Sequence, residues 1–324
     1  MVSFSVLIIT HGREELLLKC LDSLRPSVLK WQLVIVANGL DISEKALTLA
    51  REICSEVDVL PLGSKLTPGK ARNEGINLVK YDWTYFIDDD AYVYPQYFQK
   101  ALPLLEQSRI DVLGGPDTAA KGMDHFSEAL ALALSSPFCT GKTFGRHKRK
   151  GRELIEANEE ILTSCNLWIR TKLLHEMKFP EDYIRTEETA LLIDLGKKGA
   201  HMYYHPELVV GHHRRKNFKS LFRPTFFAGY YRSKVLKDKK VEGALLFWAP
   251  AIFVILHFSI FIDLQTFWFL TRTYVGLIVL MSLNLASRRN KLSLFLYTAL
   301  LHYFIVFIYG LGFISNRLGL HGNR

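Results

Sequence analysis

The sequence predicts an α/β protein, with a mainly parallel mixed sheet in the first two thirds of the chain and a C-terminal α-helical transmembrane region. From residue 1 to 215, short apolar runs alternate with amphipathic stretches, which is the pattern of βαβ units. Beyond residue 243, apolar runs with almost no charge reach the roughly 20 residues that a bilayer-spanning helix needs. The 324 residues suffice for one large domain with an appendage, or for two ordinary domains.

The elements of the first part follow from their spacing of apolar residues. Runs of β-branched and aromatic residues predict strands, and leucines at helical spacing predict helices. Predicted strands are "FSVLIIT" (4–10), "WQLVIVANG" (31–39), "VDVLPLG" (57–63) and "WTYFID" (83–88); predicted helices are "EELLLKCLDSL" (14–24), "DISEKALTLAREICSE" (41–56) and "GKARNEGINLVK" (69–80). Parallel sheets bind ligands at the carboxyl ends of their strands, so the polar residues that follow these strands are expected at one edge.

The domain boundaries follow from the change of composition. We predict an α/β domain at 1–215, an amphipathic juxtamembrane segment at 216–243, and transmembrane helices at 244–262, 265–286 and 292–314. A buried core helix is the alternative for each span, and Arg272 weakens the middle one. Basic residues in "RSKVLKDKK" (232–240) and "SRRNK" (287–291) place the large domain in the cytoplasm by the positive-inside rule. The prediction is therefore a multi-pass protein of the inner (cytoplasmic) membrane.

The charge balance limits the class of partner. The net charge is +9, which suits a phosphorylated substrate, an anionic membrane surface or nucleic acid. The predicted membrane spans argue against nucleic acid. The four cysteines form no CxxC pair, which argues against a structural zinc site and indicates a reducing compartment.

Three consecutive aspartates, Asp88, Asp89 and Asp90, follow a predicted buried strand in "YFIDDDAYVYP" (85–95). Crowded carboxylates at a ligand edge favour a hard divalent cation such as Mg²⁺, which fills its other positions with water and phosphates. In an extended backbone Asp88 and Asp90 point the same way, so both are predicted to meet a metal ion or its diphosphate. Asp89 is left to touch a sugar or a base. A solvated acidic turn is the alternative.

Two predicted helix starts carry charges that suit the same chemistry. "TPGKARNEG" (67–75) places Lys70 and Arg72 where Arg72 reaches either a nucleotide phosphate or the acidic loop. "RTEETALLIDLGKKG" (185–199) supplies Glu187 and Glu188, which either complement the helix dipole or provide a carboxylate base.

Two histidines follow a further predicted strand. His212 and His213 in "VVGHHRRKNF" (209–218) are candidate metal ligands.

Taken in order, "SVLIITHGR", "LVIVANG", "GKARNEG", "YFIDDDAYVYP", "TEETALLIDLGKKG" and "HHRR" resemble the family 2 glycosyltransferases, which have the Rossmann-like GT-A fold. The resemblance covers roughly residues 3–215, and it depends on the order and spacing of the motifs rather than on any one of them. With the C-terminal spans, the chain is similar to bacterial membrane glycosyltransferases that build exopolysaccharide or lipid-linked glycans.

The resemblance implies a role for each matching residue. Glu188 matches the catalytic base, in a pair with Glu187. The expected metal ligands, around Mg²⁺ or Mn²⁺, are Asp88, Asp90 and one of His212 and His213. The expected nucleotide-sugar contacts are Thr10, His11, Arg13, Asn38, Lys70, Arg72, Asp88, Asp89 and Asp117. Asn166 and Trp168 in "LTSCNLWIR" (162–170) belong either to an acceptor wall or to the core.

The implied reaction is an inverting, metal-dependent sugar transfer from a nucleotide diphosphate sugar, most commonly a UDP-sugar in this family. The acceptor is a hydroxyl or phosphate of a membrane-associated lipid-linked or polysaccharide molecule. Membrane lipids are further expected partners, and homo-oligomerisation stays open.

The sequence departs from the family pattern at several positions. Ile9 replaces a proline, Ala37 replaces an aspartate, Glu187-Glu188 stands for Glu-Asp, and the QxxRW motif of processive enzymes is missing. These departures leave two alternatives: a non-catalytic membrane assembly subunit with a degenerate domain, and another nucleotide-dependent transferase on the same fold. Nucleotidyltransferases usually have a glycine-rich phosphate loop after the first strand, which "THGREE" lacks.

Overall fold

The strands and helices alternate along the first half of the chain and give way to long helices after residue 217. The structure, a computed structural model, describes residues 2–25, 30–241, 244–257, 261, 263–288 and 290–320. The strands are β1 (Phe4–Thr10), β2 (Trp31–Asn38), β3 (Val57–Leu62), β4 (Trp83–Ile87), β5 (Ala91–Val93), β6 (Val112–Gly114), β7 (Asp117–Ala119), β8 (Ile155–Glu156), β9 (Asn166–Arg170), β10 (Met202–Tyr204) and β11 (Val210–His212). The helices are α1 (Glu14–Ser23), α2 (Glu44–Ile53), α3 (Pro68–Ile76), α4 (Tyr97–Leu105), α5 (His125–Leu134), α6 (Pro137–Thr140), α7 (Thr171–Glu176), α8 (Glu187–Lys197), α9 (Phe218–Asp238), α10 (Ala249–His257), α11 (Leu264–Arg288) and α12 (Phe295–Arg317).

The chain divides into two compact units that are not contiguous in sequence. The first consists of Met1–Lys121 and Lys148–His213, and the second of Gly122–His147 and Arg214–Arg324. The sequence placed residues 122–147 with the α/β domain, whereas in the structure they pack with the C-terminal helices.

A mixed eight-stranded sheet organises the first unit, in the order β3-β2-β1-β4-β9-β6-β10-β8. The pairs β1–β2, β2–β3, β1–β4 and β6–β10 are parallel, and the others are antiparallel. The predicted mainly parallel mixed sheet is confirmed. Every residue of β2 is buried, because helices cover both faces of the sheet and form an apolar layer on each side.

The sheet register gathers polar residues at one edge. Thr10, the last residue of β1, pairs with Ala37, and Phe86 of β4 pairs with Leu7 of β1. The carboxyl ends of these parallel strands therefore lie side by side. A small second sheet, ordered β5-β11-β7, continues from the acidic segment after β4 and carries His212 at the end of β11.

The second unit is helical. Helix α9 packs along α12, and glycines allow close approach: a Cβ on Gly229 would lie 2.0 Å from the Tyr309 carbonyl oxygen, and one on Gly312 1.9 Å from that of Phe226. Helix α5 packs against the first half of α12 through an apolar cluster made of Ala129, Leu130, Leu132, Ala133, Cys139, Leu221, Leu294, Leu301 and Ile305.

Two of the described helices are long and apolar enough to cross a membrane, Leu264–Arg288 and Leu292–Arg317. They coincide with the second and third predicted spans. The first predicted span, 244–262, is not among them: its described part forms a short helix, Leu245–His257, and residues 258–260 and 262 lie outside the described residues, as does Arg289 of the predicted basic loop. In its most apolar 18-residue stretch, α11 is only 17% buried, whereas the corresponding stretch of the helix that contains α12 is 44% buried. Helix α11 therefore exposes the more continuous apolar surface.

Candidate active site

The three aspartates lie in a turn rather than in a strand. Strand β4 ends at Ile87, and the amide of Ala91 donates to the carbonyl oxygen of Asp88 at 3.0 Å. The expectation that Asp88 and Asp90 point together away from Asp89 is therefore wrong in its premise, because strand alternation does not apply in a turn. Instead Asp89 and Asp90 share one partner, and Asp88 has another.

Arg13 binds the second and third aspartates together. Its guanidinium forms ion pairs with Asp89 and Asp90. Asp89 is fully buried and also accepts from the Thr10 hydroxyl at 2.9 Å and from the His11 amide at 3.4 Å. Asp89 is thus held inside the β1–α1 loop, which leaves it no exposed oxygen to offer a sugar.

Arg72 supplies the counter-charge for the first aspartate. It projects from α3, donates to Glu187 and to the Ser164 hydroxyl at 3.1 Å, and lies 3.4 Å from Asp88. Burial raises the pKa of Asp88 and of Glu187, and the positive charge of Arg72 opposes this rise. Of the two roles that the sequence left open for Arg72, the structure places it at the acidic loop.

The start of α8 delivers both glutamates to the same place. Glu187 and Glu188 are 5% and 8% exposed, so neither is a solvated complement to the helix dipole. The preceding residue, Thr186, has φ +63°, a left-handed conformation that is uncommon for a β-branched residue. Such backbone strain is typically found at functional sites.

His212 lies between two carboxylates. Its Nδ1 atom is 2.9 Å from Asp117 and its Nε2 atom is 3.3 Å from Asp90. The register explains this, because Asp117 on β7 pairs with Val210 and therefore shares a face with His212, two residues further along β11. The His213 ring lies beside Tyr92, with centroids 6.0 Å apart, and its backbone amide donates to the backbone carbonyl oxygen of Asp90. The structure thus brings His212 to the carboxylates of Asp90 and Asp117.

Asp88, Cys165 and His212 each offer one potential ligand atom, and these atoms all lie within 4.8 Å of one another. A carboxylate, a thiol and an imidazole at this spacing fit one divalent cation. Cys165 is 2% exposed, and burial raises the pKa of its thiol to about 12, although the nearby His212 opposes the rise.

The residues predicted to contact the nucleotide lie near the carboxyl ends of β1 and β2. Asn38 is buried, and its side chain both donates to and accepts from the backbone of Leu66. His11 lies 3.4 Å from the Asn38 carbonyl oxygen, and burial lowers its pKa. Lys70 is exposed on the first turn of α3.

Two residues singled out in "LTSCNLWIR" have structural roles. Asn166 is fully buried and its carboxamide binds Tyr85, Tyr97 and the Leu208 carbonyl oxygen, while Trp168 is fully buried in the core. The sequence did not single out their neighbours Ser164 and Cys165, which face the acidic cluster. Neither residue belongs to a recognisable motif, so the signal lies only in the sheet geometry.

The family model of Glycosyl transferase family 2 matches residues 5–177, which is more than half of the chain. The chain belongs to this family. Strands β2, β3 and β4 fall within the matched range, as do Arg13, Arg72 and the acidic turn. The start of α8 and His212 lie beyond it.

A curated relative of this family 2 chain is the amylovoran biosynthesis glycosyltransferase AmsB of Erwinia amylovora. It is 27% identical over 204 residues, which amounts to 61% of this chain and 65% of the relative. The aligned part thus spans somewhat less than two thirds of that protein.

Solved structures share the fold of this family 2 member. Residues 1–349 of S. aureus TarS, solved in complex with UDP-GlcNAc, match with a TM-score of 0.54 and 15% identity, over 99% of this chain and 93% of theirs. The mannosyltransferase PcManGT from Pyrobaculum calidifontis, solved in complex with GDP-Man and Mn²⁺, matches with a TM-score of 0.59 and 12% identity, over 98% and 88%. The sheet is therefore that of the GT-A fold.

Proposed function

We propose that the protein is an inverting, metal-dependent glycosyltransferase that transfers a sugar from a nucleotide diphosphate sugar, preferably a UDP-sugar. The acceptor is a hydroxyl or phosphate of a membrane-associated lipid-linked molecule or polysaccharide. The observation that carries the proposal is the convergence of Asp88, Arg72, Glu187 and His212 at one edge of a family 2 sheet.

The donor diphosphate is assigned to the edge formed by the acidic turn. Asp88 and His212 would hold the cation, which supplies positive charge against the leaving diphosphate. Arg13 holds the acidic turn in place through its ion pairs with Asp89 and Asp90, and this fixes the orientation of the Asp88 side chain. Thr10, His11 and Asn38 border the nucleotide at the β1 and β2 ends.

Glu188 is the proposed base. It accepts the proton of the acceptor hydroxyl, whose oxygen then attacks the anomeric carbon on the face opposite the leaving group. Glu187 is engaged by Arg72, so its role is to hold the start of α8 in place. This assignment to Glu187 rests on its ion pair with Arg72.

A membrane setting is supported by the exposed apolar surface of α11 and by the two candidate spans. The proposal places the protein in the inner membrane, with its catalytic unit at the cytoplasmic face. An acceptor made by lipid-linked or polysaccharide synthesis would be found there, and the curated relative is named for the biosynthesis of one such polymer, amylovoran.

The test is nucleotide release by the full-length protein in detergent, measured across a panel of UDP- and GDP-sugars with lipid extract as acceptor. Glu188→Gln keeps the size of the side chain but removes the base, so turnover should fall about 10²- to 10⁴-fold. Chelation should abolish release, and Mn²⁺ or Mg²⁺ should restore it.

The matched control is Glu52→Gln, an exposed glutamate on α2 that should leave the rate unchanged. If the wild type released no nucleotide above the rate of Glu188→Gln with any donor, the protein would be a non-catalytic subunit and the proposal would be wrong.

A further inference from the structure

The ring of His212 is oriented by a buried carboxylate. Asp117 is 2% exposed and lies 2.9 Å from Nδ1. Protein histidines that bind metal through one nitrogen commonly donate the other N–H to such a carboxylate, which fixes the ring and its tautomer. Asp117 is therefore placed to hold a proton on Nδ1 and to leave a lone pair on Nε2.

With the proton on Nδ1, the Nε2 lone pair faces an Asp90 oxygen at 3.3 Å, and Asp88 lies in the same small volume. The third potential ligand that reaches this position is the Cys165 thiol, which comes from the turn before β9.

We propose that Cys165 is a third protein ligand of a divalent-cation site formed with Asp88 and His212, and that this site prefers a thiolate-binding ion such as Zn²⁺ or Co²⁺ over Mg²⁺. The inference rests on the cation site of the proposed function and names the ion that this chain would select. Thiolate and imidazole favour zinc-like ions, whereas Mg²⁺ requires an oxygen environment with near-octahedral geometry.

One aspartate, one cysteine and one histidine make up three of the four positions of a zinc-like site, and three protein ligands with one open position are typical of catalytic zinc. The open position would accept a diphosphate oxygen. Binding breaks the S–H bond of Cys165 and forms an S–metal bond, and the released proton passes to the solvent.

The experiment is a Co²⁺ titration of the chelator-stripped full-length protein, followed by absorption spectroscopy. Thiolate-bound Co²⁺ gives a charge-transfer band in the near ultraviolet, in addition to the visible bands that report its coordination. The wild type and the control Cys139→Ser should both show the charge-transfer band, since Cys139 is buried in the other unit. Cys165→Ser should lose it, and Asp117→Asn should keep it but bind Co²⁺ about 10- to 100-fold more weakly.

A wild type that binds Co²⁺ without the charge-transfer band would overturn the proposal, and so would a band that persists in Cys165→Ser. If Cys165→Ser does not fold, the Co²⁺ spectra of Cys165→Ala and of the wild type still show whether Cys165 binds the metal. Nucleotide release distinguishes this proposal from the proposed function. If the wild type shows no charge-transfer band but still releases nucleotide in the presence of Mn²⁺, Cys165 is not a ligand and the proposed glycosyltransferase activity stands. If the wild type shows the band but releases no nucleotide, Cys165 is a ligand and the proposed activity is wrong.

Discussion

Arg72 is the residue on which the electrostatics of the site depend. Its side chain is 8% exposed and lies against Glu187, which is 6% exposed, and against Asp88, which is 35% exposed. A buried carboxylate without a counter-charge is strongly destabilising, more so than the pair is stabilising. Arg72 thus makes it possible for ionised acids to remain at this edge.

Replacing Arg72 by alanine should lower the free energy of unfolding by about 3–5 kcal/mol at neutral pH, because Glu187 stays buried with no cation beside it. Chemical denaturation of the detergent-solubilised protein measures this. Since burial already raises the pKa of Glu187 above 4.5, the variant should raise it further. A raised folded-state pKa gives stability that is present below the unfolded pKa and is lost as the pH rises through the folded pKa. The deficit should therefore be small near pH 4.5 and grow towards neutrality.

Arg25→Ala is the matched control for this prediction. Arg25 pairs with Asp22 on the surface, with side-chain exposures of 59% and 68%, so its loss should cost about 0–1 kcal/mol and show no such pH trend. Equal losses for the two variants, or a deficit for Arg72→Ala that shrinks as the pH rises, would contradict the counter-charge role.

Individual site residues were predictable to the extent that they follow strands or begin helices. The segments with Thr10, Arg13, Arg72, Asp88 and Glu187 carry local signals, and the structure brings these residues together. Other features depend on pairing between distant segments. Cys165 and Asp117 reach the cluster only because β9 and β7 join their sheets through partners far away in sequence, which no local pattern reveals.

At the scale of elements, α3 is held against its surroundings by glycines. A Cβ on Gly69 would lie 2.4 Å from the Pro180 carbonyl oxygen, and one on Gly75 would lie 2.7 Å from Val36 Cγ2. The helix therefore lies close to both the sheet and the segment before α8. This close packing fixes the direction in which Arg72 leaves the helix.

Gly69→Ala should destabilise the protein by about 1–3 kcal/mol, because the added methyl group meets backbone rather than a flexible side chain. Nucleotide release should also fall, since α3 moves away and Arg72 moves with it. Thermal unfolding and turnover of the purified variant measure the two effects.

Gly63→Ala provides the comparison, because a Cβ added at Gly63 would have no heavy atom within 4 Å; its stability should change by no more than about 0.5 kcal/mol. If the Gly69→Ala protein were as stable and as active as Gly63→Ala, close packing of α3 would not be what orients Arg72.

The predicted strands and helices up to residue 88 match the observed ones to within a few residues, because each has a clear period. The antiparallel strand β9 between β4 and β6 was not predicted. "NLWIR" is only five residues long, and its partners are set by long-range pairing. The first apolar run after residue 243 stays a predicted span, because its described part is the short helix Leu245–His257 and residues 258–260 and 262 lie outside the described residues.

For the whole molecule, the two-unit arrangement predicts how a truncated chain behaves. A fragment that ends at residue 241 keeps α5 but loses Leu294, Leu301 and Ile305, its apolar partners on and before α12. The fragment also loses α12 from beneath α9. We expect it to aggregate without detergent rather than to yield a soluble catalytic domain, and size-exclusion chromatography measures this.

The same fragment carrying Leu130→Gln and Leu132→Gln should be more soluble, since these side chains are buried in the apolar cluster to which α12 contributes. A monodisperse unsubstituted fragment would contradict the packing of α5 on α12.

The interrupted second unit also has a consequence for the order of synthesis. Leu130 and its partner Leu301 are separated by about 170 residues, so at about 5–20 residues per second a ribosome needs roughly 10–30 s to produce the second after the first. During that interval the nascent α5 displays leucines with nothing to cover them. A chaperone or the membrane-targeting machinery can bind these exposed leucines. Slowing translation between α5 and α12 should therefore lengthen the time for which that factor stays bound to the nascent chain.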